Sequence, residues 1–104
     1  MKFENLLTSQ LEAIEGTEVV VSHVALPANT TLPKHWHPGE EFVYVLDGSF
    51  VLWQQDKDDV SAKTGDVVVV PLKHPHTVTT GADGATVVAF RVHEQGQPER
   101  ILVE

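Results

Sequence analysis

A chain of 104 residues with 41% hydrophobic and 21% charged residues has the composition of one globular domain, too short for two, and this excludes disordered, collagen-like and coiled-coil classes. Fifteen acidic against seven basic residues give a formal charge of −8 with no Lys/Arg cluster, so nucleic acid is disfavoured as a partner. Cysteine is absent, which excludes disulfides, thiolate nucleophiles and thiolate metal sites and leaves nitrogen and oxygen to hold any metal.

The opening MKFENLLTSQLE carries no signal-peptide pattern, and no apolar run reaches the roughly 18 residues of a membrane span. A soluble cytoplasmic protein with no membrane partner is expected. Residues 4–15 place Leu7, Leu11 and Ile14 at helical spacing, which predicts a short helical or irregular strap over residues 1–16. Residues 18–26 (EVVVSHVAL) then begin a series of Val-, Ile- and aromatic-rich runs that continues at 41–46, 49–55, 66–72, 86–92 and 100–103. Each reads as a strand. Turn chemistry separates them, in PANTTLP, DG, KTGD, HPH and TGADGA, so an antiparallel sandwich or barrel is expected, with its core in residues 17–93 and a C-terminal strand in 94–104.

Asp47-Gly48 stands between two strand runs and predicts a two-residue hairpin turn of type I′. That register sets Val45 opposite Phe50, Val43 opposite Leu52 and Glu41 opposite Gln54, all on one face. Phe42, Tyr44, Val51 and Trp53 occupy the other face. With both sides apolar, a homodimer through a sheet is expected. On the run at 86–92 the same alternation groups Val88, Phe90 and Val92 against Val87, Ala89, Arg91 and His93. The uninterrupted apolar set is assigned to the inside, which makes Leu52, Val88 and Phe90 candidate pocket-lining residues.

Between the first two runs lies HWHPGEE, residues 35–41. In an extended HWH, His35 and His37 point to one side, and the Pro-Gly that follows can return Glu41 to the same centre. Two imidazoles and a carboxylate suit a borderline divalent metal, although H-x-H is also common in ordinary loops. HWHPGEEFVYVLDG reads H-x-H, three residues, Glu, six residues, Gly, and GDVVVVPLKHPH reads Gly, five residues, Pro, four residues, His.

In that order the two stretches resemble the paired motifs of the cupin superfamily, most like its small single-domain members. The resemblance implies an all-β double-stranded β-helix, a jelly-roll barrel, holding one divalent first-row ion (Fe, Mn, Ni, Cu, Co or Zn) through His35, His37, Glu41 and His76. Gly48, Gly65 and Pro71 fall on its turn positions. Asn29 stands where the first motif opens with glycine; Lys73 and Thr80 replace the second motif's glycine and asparagine. His74 competes with His76, and the motif count selects His76. His23 and His93 are left outside the site as strand histidines.

Three imidazoles and one carboxylate leave two positions of a six-coordinate ion for reactants. The resemblance implies dioxygenases, isomerases, lyases and cyclases acting on small organic substrates, and an oxygenase is favoured because the inner face offers no other acid or base. Gln54, opposite Glu41 in the hairpin register, is the candidate for a hydrogen bond to that carboxylate or to a bound water. The other class is a binding or sensor module that captures a small ligand at the same metal.

Overall fold

The computed structural model describes residues 1–103 and folds them into eight strands: β1 (Lys2–Gln10), β2 (Thr17–Leu26), β3 (His35–Trp36), β4 (Glu40–Gln54), β5 (Val60–Lys63), β6 (Val67–Val70), β7 (His76–Glu94) and β8 (Ile101–Leu102). Glu104, the last residue of the expected C-terminal strand, lies outside the described residues. There is no helix among the described residues, hence none long and apolar enough to cross a membrane.

β4 and β7 form the spine. They run antiparallel over nearly their whole length, with Glu40 opposite Val92 at one end and Gln54 opposite His76 at the other. The first half of β4 pairs on its far side with β6, the second half with β5. β7 pairs likewise with β2 through its second half and with β3 at His76. The spine therefore divides into two sheets, β1-β2-β7-β4-β6 and β8-β3-β7-β4-β5, closing as a double-stranded β-helix. Val24, Leu26, Val43, Val45, Phe50, Leu52, Ala62, Val68, Val70, Ala85, Val87 and Ala89 form the core between them. Burial of each Val or Leu stabilises by about 1.5–3 kcal/mol.

Three expectations are corrected. Asp47-Gly48 is not a hairpin turn: a type I′ turn needs positive φ at both central residues, and of the two only Gly48 has it, at 80°. The chain continues through a bulge, because β7 supplies hydrogen-bond partners on both sides of the bend. A Cβ at Gly48 would lie 2.2 Å from the carbonyl oxygen of Gly84, so the two strands touch backbone to backbone at the corner. Glu41 is consequently opposite Val70 and Arg91 rather than Gln54. The inward face survives the change of register, with Val43, Val45, Phe50, Leu52 and Gln54 all buried.

The N-terminal strap is a strand. β1 pairs along β2, Phe3 opposite Val24, with a bulge between Asn5 and Leu7. The open edge of β2 offers a row of backbone partners, which outweighs a helical spacing carried by three residues, two of which (Leu11 and Ile14) fall in the turn before β2.

The facing of the run at 86–92 is the reverse of the expected one. Val87, Ala89, Arg91 and His93 are buried, Val88 is half-buried, and Phe90 is 41% exposed. Pairing fixes this: Val87 lies opposite both Val24 and Val45, and Ala89 opposite Val43. In the interior, Ser22 and Glu18 on β2 meet Arg91 and His93 at 2.7 and 2.9 Å.

Candidate metal centre

The loop before β3 is stitched to β7. Asn29 adopts φ 52°, the left-handed backbone that asparagine tolerates. Thr80 Oγ1 donates to the Pro27 carbonyl at 2.6 Å and accepts from the Thr30 amide at 3.0 Å, and the Leu32 amide donates to the Val78 carbonyl at 3.0 Å. Held this way, the chain enters β3 with His35 directly opposite His76. Paired residues share a face, so the two imidazoles meet with ring centroids 4.3 Å apart. Two residues on, His37 joins them, its centroid 5.0 Å from His35 and 5.1 Å from His76.

Pro38-Gly39 makes the return to Glu41. A Cβ at Gly39 would fall 1.6 Å from the Val92 carbonyl oxygen, so only glycine lets the chain press against β7 here. The second motif closes beneath it: Lys73 takes φ 56° and its amide donates to the His37 carbonyl at 3.1 Å. The glycine replaced by Lys73 is thus not required for the turn.

One potential ligand atom from each of His35, His37 and His76 lies within 4.8 Å of the others, and all three residues are buried. The Nδ1 of each ring donates to a backbone carbonyl: His35 to Pro33 at 2.7 Å, His37 to Glu99 at 2.7 Å, His76 to His74 at 2.9 Å. That fixes the tautomer, so in each neutral ring Nε2 carries the lone pair. Glu41 faces two of these atoms, with His37 Nε2 at 3.3 Å and His76 Nε2 at 3.6 Å. His37 Nε2 is buried and has no hydrogen-bond partner. Acceptors that face one another in a buried site require a cation between them, either a proton on an imidazole or a metal ion. The four residues therefore fit a divalent ion by donor type, tautomer and aim.

The electrostatics agree. Burial pulls the His35 imidazole down from 6.5 to about 4, against the Pro33 carbonyl, and the nearby His76 and His37 add to the lowering. Burial pushes the Glu41 carboxyl up, but His37 and His76, by contact and charge, outweigh it and hold the carboxyl well below the usual carboxylate range. Both shifts favour the deprotonated forms that a metal needs.

The structure brings together His35, His37, Glu41 and His76. It leaves His74 outside, its Nε2 donating to the Gln55 carbonyl at 2.7 Å. Gln54 is buried opposite His76, with its Oε1 unpartnered, and is not across from Glu41. The four residues line a cavity of about 350 Å³ whose walls include Leu26, Val43, Leu52, Val68 and Val87. Leu52 lines it as expected; Val88 and Phe90 do not. Sequence reading missed Arg91, which lines the cavity, and Glu99, whose carbonyl orients His37. Alternation carries a signal for Arg91 only once the facing of Val87 and Ala89 is known.

The sequence model of the cupin domain matches residues 22–93. Among curated relatives, an uncharacterized protein of Methanocaldococcus jannaschii is 29% identical over 65 residues, covering 62% of this chain and 56% of that protein. A 3-hydroxyanthranilate 3,4-dioxygenase of Mycosarcoma maydis is 30% identical over 69 residues, 62% of this chain and 38% of that enzyme. The chain thus spans little more than half of the first and well under half of the second. Among solved structures, a DMSP lyase of Ruegeria pomeroyi superposes with a TM-score of 0.72 at 21% identity, covering 97% of this chain and 51% of that one. A polyketide cyclase of Streptomyces resistomycificus gives 0.64 at 22%, covering 94% and 80%. At such identities the superpositions establish the fold.

Proposed function

The chain belongs to the cupin domain family, and on that premise we propose that it is a metalloenzyme acting on a small organic substrate, with dioxygenase-type chemistry. The observation that carries this reading is the set of three imidazole Nε2 atoms, each freed by an Nδ1 hydrogen bond to a carbonyl, converging with Glu41 in the wall of a largely apolar cavity. Held by His35, His37, Glu41 and His76, a redox-capable divalent ion would supply Lewis-acid and electron-transfer chemistry there.

The chain's own residues do the rest. His35, His37, Glu41 and His76 fix the donor geometry, while Val43, Leu52 and Val87 exclude water and take the apolar body of the substrate. The walls carry no serine, threonine or cysteine nucleophile, which suits chemistry performed at a metal. One relative named as a dioxygenase supports the choice. The second reading, a small-ligand binding module, is favoured by the near absence of proton-transfer groups: beyond the four ligands, Glu99 is the one carboxylate in the lining.

Oxygen-electrode measurements on protein loaded with iron, copper or manganese, offered catechols, flavonols, diketones and thiols, separate the two. Dioxygen uptake with one of these classes is expected, and it should vanish in His76→Ala. No uptake with any of them, alongside ligand binding to the loaded protein, would favour the binding module.

A further inference from the structure

Arg91 is 3% exposed and lines the same cavity as the three histidines. Among the described residues its guanidinium makes one hydrogen bond, Nη2 to Ser22 Oγ at 2.7 Å, and Ser22 Oγ donates onward to Asn5 Oδ1 at 2.6 Å. The ring of Phe3 lies 5.2 Å from Cζ. Nε is buried with no partner, and none of the salt bridges among the described residues involves Arg91. A guanidinium is always charged and carries five donors. Burying it without a counter-charge costs several kcal/mol. That cost is offset when an anion enters the cavity.

Register places the anion site. Arg91 is directly opposite Glu41, so the guanidinium is anchored on the inner face one strand, about 5 Å, from a residue of the metal centre. Yet Glu41 is turned toward His37 and His76, and it leaves Arg91 unneutralised. The lining also carries Glu99 and Arg100, whose charges offset one another, so with Glu41 engaged by the histidines the Arg91 guanidinium has no counter-charge of its own, in a chain whose total is −8. Apart from Glu99 and Arg100 the remaining walls are apolar, which suits an organic body carrying one anionic group.

We propose that Arg91 is the specificity-determining residue of the cavity and selects small organic carboxylates, binding the carboxylate beside the metal centre while the apolar walls take the rest of the ligand. This rests on the reading of the cavity as the ligand site, but not on the metal. The guanidinium offers a flat two-donor edge that matches a carboxylate, and the Ser22–Asn5 chain holds it in place beforehand.

The test uses benzoate and its neutral isostere benzamide with the full chain, metal-free and zinc-loaded, by calorimetry and by 15N NMR of the arginine Nε groups. The sequence has two arginines, Arg91 and Arg100, and both line the cavity, so Arg100→Lys assigns the signals and must leave the benzoate preference in place. Benzoate should bind roughly tenfold or more tightly than benzamide, as expected for a charge-assisted pair, in both metal states, and should shift the Arg91 Nε signal. Arg91→Gln should erase the preference and Arg91→Lys should keep part of it. The NMR arm needs no variant at Arg91, so a folding defect in Arg91→Gln cannot decide the matter. Equal binding of the two probes, no binding of either, or benzoate binding to the zinc form alone with Arg91 Nε unmoved would each overturn the proposal. The last of these leaves the metal centre intact. A chain that takes up no zinc, yet shows the benzoate shift, would support Arg91 and sink the metal reading instead.

Discussion

At the scale of single residues, the His35 ring makes the most direct prediction. Its folded-state pKa of about 4 lies below the ordinary 6.5, so between those values the unfolded chain binds the extra proton. Stability therefore falls as pH drops through the window from about 6.5 to 4, by roughly 3 kcal/mol from this ring in the metal-free protein, and the loss is complete below about 4. Glu41, depressed below the ordinary 4.5, adds a further loss at still lower pH. Urea midpoints at pH 7, 5.5 and 4 should drop in the parent protein and drop less in His35→Phe; parallel curves would contradict the assignment. The convergence of His35, His37 and Glu41 was legible in sequence because their spacing is local: H-x-H with a Pro-Gly return needs only extended backbone and one tight turn. Arg91 was not, because its inward facing depends on Ser22 and on the register against β4, both distant in the chain. Val88 and Phe90 were misplaced for the same reason, since alternation cannot say which side is inside when both carry apolar groups.

At the scale of elements, the strand-forming runs were legible from β-branched and aromatic content, but their joins were not. Asp47-Gly48 and the Gly-containing stretch 81–84 look like turns in sequence. In the fold β4 and β7 pass through both, because each strand finds its partner in the other. A glycine there serves close approach, which local sequence cannot reveal. Gly48→Ala should cost several kcal/mol, since it combines strain at φ 80° with a Cβ 2.2 Å from the Gly84 oxygen. Gly65→Ala, at φ 91° with open space around it, should cost only about 1 kcal/mol. Urea unfolding of the two variants checks the difference. Equal losses would mean that backbone contact at the corner is not what bends the spine. The N-terminal strand shows the opposite failure, a helical spacing without enough residues to outweigh an open sheet edge.

At the scale of the whole molecule, strand pairing lays Phe42, Tyr44, Val67, Val69, Val88 and Phe90 side by side on the outer face of one sheet, with Val67 and Phe90 62% and 41% exposed. We propose that a second copy of the chain covers this face across a two-fold axis, where one apolar patch meets itself. Sedimentation at micromolar concentration should give twice 11.4 kDa, and Val69→Glu should give the monomer; a parent protein that sediments at 11.4 kDa would refute it. The barrel as a whole sets β3, β4 and β7 around one point, where we propose that a metal ion is held through His35, His37, Glu41 and His76. Elemental analysis of the parent protein, His76→Ala and His74→Ala, each expressed with first-row metals supplied in turn, is the decisive measurement. One ion per chain is expected in the parent and in His74→Ala and almost none in His76→Ala; equal loss from both variants, or a parent protein without metal, would overturn the assignment.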